Sequence, residues 1–361
     1  MAAATESKGK NGTVEVLRFF FAICIVGVHL STLAGWEHFQ YGHYGVEFFF
    51  IISGLLMAQS IERKLDLMRS EPGKSTFEMV FRKAKRLYPY VIIATVLYVL
   101  LYTVEYRGGD LYALLQDLVN LVPYMFFANM TGIGSETAMY MRILWWVAAM
   151  FIAMMVLAPL YIRFNDYSKH VLFPLLGLFV LGVLILSTGT ITQSFEDPWG
   201  IRLGVLRAIG EVALGAVCYN AAMFLKERYT LTSLGRVAVL SVEIICFVLI
   251  CAYVEGSYMY DSSSSVLFLM MILTVLVYSD LTWNLKSGRF VSFLGNISLP
   301  MYLTHIVVIM SLGQWMGYGW VYEHIPAVFL LILVLTVTAY AFVEYALPRL
   351  SPVKKLFVEK D

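Results

Sequence analysis

The chain has 361 residues, of which 60% are hydrophobic and only 14% are charged, and its mean hydropathy is +0.74. A soluble domain has about a quarter of its residues charged, so this composition excludes a soluble globular protein and indicates an all-α, polytopic membrane protein. The net charge of +1 indicates no class of partner beyond the lipid bilayer, and no nucleic acid is expected.

Ten apolar segments are long enough to cross a bilayer, which takes about 20 residues of helix. The predicted spans are 14–35, 43–60, 87–106, 140–162, 170–193, 203–225, 236–254, 262–279, 292–315 and 325–346. The chain would then consist of a disordered N-terminus (1–13), one membrane domain (14–346) and a tail (347–361). The stretch 111–128 is interrupted by polar residues, and we predict an interfacial or re-entrant helix there. If it crossed the membrane, the topology after it would invert.

Basic residues are distributed unevenly among the predicted loops. Most of the 26 Lys and Arg residues fall in alternate loops, and the largest group lies in 61–86, between the second and third spans. Because cytoplasmic loops carry an excess of Lys and Arg, we predict that both termini and the 61–86 loop are cytoplasmic.

The first span contains three ionisable residues, Glu15, Arg18 and His29. Eleven helical positions return to within about 20° of the starting face, so Arg18 and His29 share one stripe, about 16 Å apart along the axis. Glu15 falls close to the same stripe. A buried charge in lipid costs several kcal/mol, so we expect the stripe to face a protein interior or a watery cavity. The alternative is a snorkelling Arg18 and an inert, hydrogen-bonded His29.

Glu47 lies near the start of the second span, at a depth that the short connecting loop predicts to match that of His29. We therefore predict a hydrogen bond between the two side chains. A carboxylate would fix the imidazole tautomer and stabilise its protonated form, as a general base requires. The alternative is that Glu47 only solvates a helix end.

Four basic residues fall within five positions at the end of the 61–86 loop: Arg82, Lys83, Lys85 and Arg86. One interpretation is orientation in the membrane and attraction to anionic lipid. The other is a phosphate-binding patch for a nucleotide-like donor, because arginine matches phosphate through its planar fork.

Two later spans also contain polar residues. Arg207 and Glu211 are four positions apart in the sixth span, so they can form an internal ion pair, either structural or lining a cavity. In the ninth span Ser298 and His305 share a face and Tyr302 lies beside them. His305 would contact substrate or form a hydrogen bond to another helix. The four cysteines lack metal-ligand spacing, and no metal site is predicted.

Taken in order, these motifs resemble the integral-membrane acyltransferase-3 family of bacterial O-acyltransferases over nearly the whole chain. The matching positions are Arg18-x10-His29, Gly45-Val46-Glu47 through Ser53-Gly54-Leu55, Arg82-Lys83-x-x-Arg86, Gly295-x-Ile297-Ser298 through Tyr302-Leu303-x-His305 and, more weakly, Trp145 with Pro159 and Arg207 with Gly215. Leu299 departs from the family, which usually has tyrosine after Ile-Ser.

The resemblance implies a reaction in the cytoplasmic (inner) membrane. Acyl-CoA would bind from the cytoplasm, and a sugar hydroxyl of a cell-surface or exported glycan or glycolipid would be acylated. Acetyl-CoA is the family's commonest donor, and succinyl or another short acyl group stays open. No permanently bound cofactor is implied.

The expected roles of the residues fall into three groups. His29 is the catalytic base and Glu47 orients it. The residues expected to bind donor or acceptor are Arg18, Arg82, Lys83, Arg86, Ser298, Tyr302 and His305, and those expected to shape the cavity are Glu15, Arg207 and Glu211. A transporter or recognition module for a small polar substrate is the alternative, because transporters also bury charges. Release of free CoA would distinguish an enzyme from that class.

Overall fold

The computed structural model describes residues 11–108, 110–131, 143–256 and 263–349. These ranges contain helices and no strand, which confirms the all-α class. The α-helices are α1 (Gly12–Ala34), α2 (Gly45–Glu62), α3 (Leu65–Met68), α4 (Pro72–Arg107), α5 (Leu111–Met125), α6 (Trp145–Arg163), α7 (Asn165–Tyr167), α8 (Phe173–Thr188), α9 (Leu203–Arg228), α10 (Ser233–Glu255), α11 (Ser263–Ser279), α12 (Arg289–Met316), α13 (Tyr318–Glu323) and α14 (Ile325–Ala341). The short 3-10 or π-helical segments are Gly42–Tyr44, Ser168–Leu172, Phe342–Ala346 and Leu347–Arg349.

Within the described ranges, nine helical segments are long and apolar enough to cross a membrane, and α11 is an apolar helix of 17 residues. These ten segments correspond to the ten predicted spans, so the chain is a multi-pass membrane protein. The first begins at Gly12, two residues earlier than predicted, because the Asn11 side chain accepts a hydrogen bond from the Val14 backbone N–H and caps the helix. Of the predicted N-terminus, residues 1–10 lie outside the described residues. Of the predicted tail, only the short segment Leu347–Arg349 is described.

The third span differs most from its prediction. α4 has 36 residues and begins at Pro72, so the basic segment expected in a loop is helical. At a rise of about 1.5 Å per residue the helix is about 54 Å long, well beyond the roughly 30 Å of a hydrocarbon core. Lys and Arg are good helix formers, and proline is favourable in the first turn of a helix. The helix therefore begins in the basic segment, about 15 residues before its apolar part starts.

α5 occupies most of the stretch predicted to be interfacial or re-entrant. Its 15 residues extend about 22 Å, which is short for a span. Ala113, Leu121 and Tyr124 are buried, whereas Leu115 and Val119 are exposed on another face. An amphipathic helix of this length fits an interfacial or re-entrant position better than an eleventh crossing of the membrane.

The centre of the bundle is the crossing of α2 and α9. α9 also packs against α6, α8 and α11. At the crossing Gly54 lies against Gly215, and a Cβ on either would run into a backbone carbonyl oxygen of the opposite helix. Small residues of this kind let two helix backbones approach closely in a membrane. Large apolar side chains are exposed on the outlying helices α8 and α10, such as Phe179 and Ile245, as expected for lipid-facing surfaces.

α1 and α12 pack side by side in parallel, and this pairing sets up the site. Glu15 lies against Gly295, where a Cβ would overlap its carboxylate, and further along the same two helices His29 lies against His305. We call the end of the bundle at Gly12 the inner end and the end at Ala34 the outer end, following the predicted topology.

Candidate functional site

A cavity of about 610 Å³ lies in the outer half of the bundle. This volume is within the range of roughly 300–1,000 Å³ of small-molecule sites. α1 contributes His29, the Gly42–Tyr44 turn contributes His43, and α6, α9 and α12 contribute Trp145, Arg207 and Tyr302. The first helix thus places its predicted catalytic histidine at a space large enough for a substrate.

The imidazole of His29 is hydrogen-bonded to a second histidine behind it. Nδ1 of His29 lies 2.8 Å from the carbonyl oxygen of Ile25 and 3.1 Å from Nε2 of His305. Nδ1 of His305 lies 3.1 Å from the carbonyl oxygen of Met301, and His305 is fully buried. The two rings are 4.9 Å apart between centroids. His305 is not part of the cavity lining, so it contacts the site through His29.

These contacts determine which nitrogen of each ring carries the proton. A carbonyl oxygen only accepts hydrogen bonds, so Nδ1 of His305 is the donor to Met301 and its Nε2 is left with a lone pair. Nδ1 of His29 must then donate, shared between Ile25 and His305. Nε2 of His29 carries a lone pair and has no hydrogen-bond partner among the described residues. A histidine in this tautomer, with the ring at a cavity, can accept a proton from a hydroxyl.

The predicted hydrogen bond between His29 and Glu47 is wrong. Glu47 forms an ion pair with Arg207, at 2.6 Å between Oε1 and Nη2. The reason is the course of the chain between α1 and α2. It folds back along α1, and Gly42 and Gly45 lie so close that a Cβ on either would meet the α1 backbone. α2 therefore begins well below the outer end of α1, and Glu47 faces α9. His29 contacts His305 and the Ile25 carbonyl oxygen in place of Glu47.

Arg207 is the centre of a buried charged cluster. Its Nε donates to Glu211 at 2.9 Å, so the ion pair expected from the i,i+4 spacing is present. Its Nη1 donates to the carbonyl oxygen of Thr192 at 3.0 Å, and its guanidinium lies over the Trp145 ring, 5.5 Å from the centroid. Arg207, Glu211 and Glu47 are all at most 2% exposed. The cluster joins α2 to α9, and its Arg207 side chain lines the cavity.

Two cations come together nearer the inner end. Arg18 pairs with Glu15 at 3.1 Å. Lys83 extends from α4 into the bundle, where its Nζ lies 3.4 Å from Oγ of Ser53 and 3.8 Å from the sulfur of Met154. The charge of Arg18 is close enough to act on that of Lys83. No carboxylate of the described residues pairs with Lys83, so the charge of this partly buried ammonium is not balanced by an ion pair.

The structure separates the three basic residues that were expected to act together. Arg82 is exposed and pairs loosely with Glu78 at 3.7 Å, and Arg86 is exposed one turn further along the same face of α4. Lys83 lies on a different face and points inward. The basic segment therefore has a solvated pair at its surface and one amine inside the bundle.

An aromatic layer lies between the inner cations and the cavity. Tyr302 and Trp146 pack edge to face at 5.3 Å between centroids, and Trp146 packs on Phe49 at 5.6 Å. The Tyr302 hydroxyl donates to the carbonyl oxygen of Ile143. Phe49 precedes Ser53 by one turn of α2, so the layer is about one turn outward from the Lys83 contact. All three rings are buried.

The three residues of α12 that were predicted to contact substrate differ in their position relative to the cavity. Tyr302 lines the cavity, His305 supports His29, and Ser298 donates to the carbonyl oxygen of Gly295 at 2.7 Å within its own helix. Four polar residues of the cavity lining were not predicted from the sequence: Thr32, His43, Thr192 and Ser194. His43 could have been found as a third histidine beside the predicted site, whereas nothing in the 189–202 loop marked Thr192.

No curated protein and no solved structure matches the chain. A family model described as an acyltransferase domain matches residues 11–344, which is nearly the full length and includes every residue of the site. The chain therefore belongs to the acyltransferase-3 family of membrane proteins.

Proposed function

We propose that this protein transfers a short acyl group, acetyl in the first instance, from acyl-CoA to a sugar hydroxyl of a cell-surface or exported glycan or glycolipid. The proposal places it in the cytoplasmic membrane with both termini in the cytoplasm. The observation that carries it is the His29–His305 pair at the cavity, in which the lone pair on Nε2 of His29 is available to a substrate hydroxyl.

The donor would bind at the inner end. At that end Lys83 and Arg18 reach into the bundle, and they would contact the phosphates or the pantetheine of acyl-CoA. Arg82 and Arg86 would attract the polyanionic donor from the surface of α4. Ser53, which Lys83 contacts, marks the depth to which this cationic region reaches.

The acceptor would bind in the cavity, with its hydroxyl at Nε2 of His29. An alcohol is a poor nucleophile at neutral pH, so a positioned base is needed. As the hydroxyl oxygen attacks the thioester carbonyl carbon, its proton passes to Nε2. The C–S bond then breaks, the proton returns to the leaving sulfur, and the products are the ester and free CoA. His305 would stabilise the imidazolium by accepting a hydrogen bond from Nδ1.

The test is single-turnover acyl transfer by the purified full chain in lipid nanodiscs, followed by release of free CoA from acetyl-CoA. His29→Ala should lower the rate by about 10²- to 10⁴-fold, as expected for loss of a general base, with donor affinity unchanged. His170→Ala is the matched control, because His170 is exposed and remote from the cavity. A near-normal rate of acyl transfer by His29→Ala would show that His29 is not the general base, and His305 would then be the candidate. Substrate movement without thioester cleavage would instead support the transporter class.

The acceptor can be sought in cells. The mass of surface glycans and glycolipids would be compared with and without the gene, and a gain of one acetyl group per modified unit is expected. A gain of a succinyl group would correct the donor and keep the reaction class.

A further inference from the structure

The loop between α8 and α9 forms one wall of the cavity, and its backbone is held against the start of α9. The Thr192 carbonyl oxygen accepts a hydrogen bond from Nη1 of Arg207 at 3.0 Å, and the Ser194 carbonyl oxygen accepts one from the Gly204 backbone N–H at 3.0 Å. Because α9 satisfies these carbonyl groups, the loop has a fixed course past the cavity. Its Phe195 side chain is part of the lining.

Phe195 forms an aromatic corner with Trp145, the first residue of α6. The two ring centroids are 6.1 Å apart, and the ring planes are inclined at 64°. Both rings line the cavity, and Phe195 is 37% exposed. Burial of this apolar surface under a ligand is favourable, so the corner is suited to bind a flat apolar face.

α9 also fixes the Trp145 side of the corner. The Arg207 guanidinium lies over the Trp145 ring at 5.5 Å from its centroid, and a Cβ on Gly204 would come within 3.0 Å of the same ring. Glycine at this position therefore lets the helix approach the ring closely. Since both rings are already held in place, a ligand that stacks on them loses little free energy to the ordering of side chains.

Hydroxyl groups line the same cavity. Thr32 lies one turn outward of His29 on the same face of α1, and both residues are in the lining. Thr32 is exposed, and its hydroxyl has no hydrogen-bond partner among the described residues. A cyclic sugar has hydroxyls around its edge and apolar C–H groups on its two faces. The cavity therefore offers a partner for each part of such a ring.

We infer that the corner formed by Trp145 and Phe195 is the acceptor subsite for a pyranose ring, which stacks a C–H face on it while the reacting hydroxyl lies at Nε2 of His29. This inference rests on the proposed function and deepens it by naming residues that recognise the acceptor. It makes Phe195 a specificity-determining residue, because open-chain polyols have the hydroxyls of a sugar but no ring face to stack.

The subsite can be tested by binding alone, with no donor present. The full chain in nanodiscs is mixed with the methyl pyranosides of glucose, galactose, mannose and N-acetylglucosamine, or with mannitol as the open-chain control. The aromatic protons of the protein are irradiated in a saturation-transfer difference NMR experiment, and the transfer to the C–H protons of each compound is measured. We expect transfer to at least one glycoside, concentrated on one face of its ring and at least about threefold above that to mannitol.

Three variants assign this transfer to the corner. Phe195→Leu keeps an apolar side chain but removes the ring, so the transfer should fall by about three- to tenfold, as for the loss of one aromatic contact. Phe195→Tyr keeps the ring and should recover most of the signal. Phe224→Leu is the matched control, because Phe224 is also an exposed phenylalanine but lies outside the cavity lining.

Two results would overturn the inference. One is transfer to every glycoside that is no greater than transfer to mannitol. The other is unchanged transfer in folded Phe195→Leu, which would make Phe195 only an anchor in the membrane interface. If Phe195→Leu does not fold, the comparison with mannitol on the unsubstituted chain decides. A failure of the proposed function would be seen separately, as absence of CoA release from a chain that still binds the glycoside.

Discussion

The contact between His305 and His29 predicts that His305 controls the rate of transfer and leaves substrate affinity unchanged. His305→Ala removes the hydrogen-bond acceptor 3.1 Å from Nδ1 of His29 but leaves the Ile25 carbonyl oxygen at 2.8 Å. The neutral ring of His29 therefore keeps its tautomer in the resting enzyme. The substitution instead destabilises the imidazolium form of His29, because its charged Nδ1–H then has one hydrogen-bond acceptor and not two.

The magnitude follows from the charged state of the donor. A hydrogen bond from a charged group contributes about 1.5–3 kcal/mol, and about 1.4 kcal/mol corresponds to a factor of ten in rate. His305→Ala should therefore lower kcat by about 10- to 150-fold. KM for acyl-CoA and for the acceptor should stay the same, because His305 does not line the cavity.

The assay is single-turnover transfer at saturating acyl-CoA, with the unfolding temperature of each variant measured in parallel. His305→Gln is the matched control, since its side-chain oxygen can replace Nε2 as the acceptor, and it should recover most of the rate. A wild-type rate in His305→Ala would refute the argument. So would a His305→Gln variant that is stable and as slow as His305→Ala, because a purely structural histidine would not distinguish the two.

The remaining predictions concern the two charged regions. Lys83→Met should weaken acyl-CoA binding by about tenfold or more, because the inner ammonium is poorly solvated. Arg82→Met should weaken it by less than about fivefold, because Arg82 is an exposed charge. Isothermal titration calorimetry with both variants measures the two affinities, and a larger loss of affinity in Arg82→Met would contradict the prediction. Arg207→Met should destabilise the fold by about 3–5 kcal/mol, because it leaves two buried carboxylates without their cation. Glu211→Gln should lower the free energy of unfolding clearly less, because Arg207 keeps its ion pair with Glu47. Denaturant unfolding followed by tryptophan fluorescence measures the free energy of unfolding of both variants. Equal losses would show that the unpaired carboxylates do not cause the destabilisation in Arg207→Met.

The spans and one local ion pair could be predicted from the sequence because both depend on spacing along one helix. The ten apolar segments follow from their length, and the Arg207–Glu211 pair follows from its i,i+4 spacing. The start of α4 was predicted about 15 residues late, because hydropathy identifies the membrane-embedded part of a helix and not its polar extension.

The contacts between helices could not be predicted in the same way. His29 and His305 are 276 positions apart, and nothing in either segment indicates that α1 and α12 lie in parallel. The error at Glu47 has a definite cause. A short loop predicted neighbouring helix ends at equal depth, but two glycines, Gly42 and Gly45, let this loop fold back along α1. The sequence contained those glycines, yet their effect depends on the backbone that they approach.

The order of the polar regions along the bundle bears on how the reaction would proceed. Lys83 contacts Ser53 on the inner side of the aromatic layer, and His29 lies at the cavity on its outer side. Under the proposed function the thioester has to reach His29 past Tyr302 and Trp146, both of which are buried in this structure. Under the proposed function, these buried rings would shield the thioester from solvent on its way to His29, which would disfavour hydrolysis. Tyr302 belongs to both the layer and the cavity wall, so under the proposed function an acceptor in the cavity would contact the same ring that the acyl group has to pass.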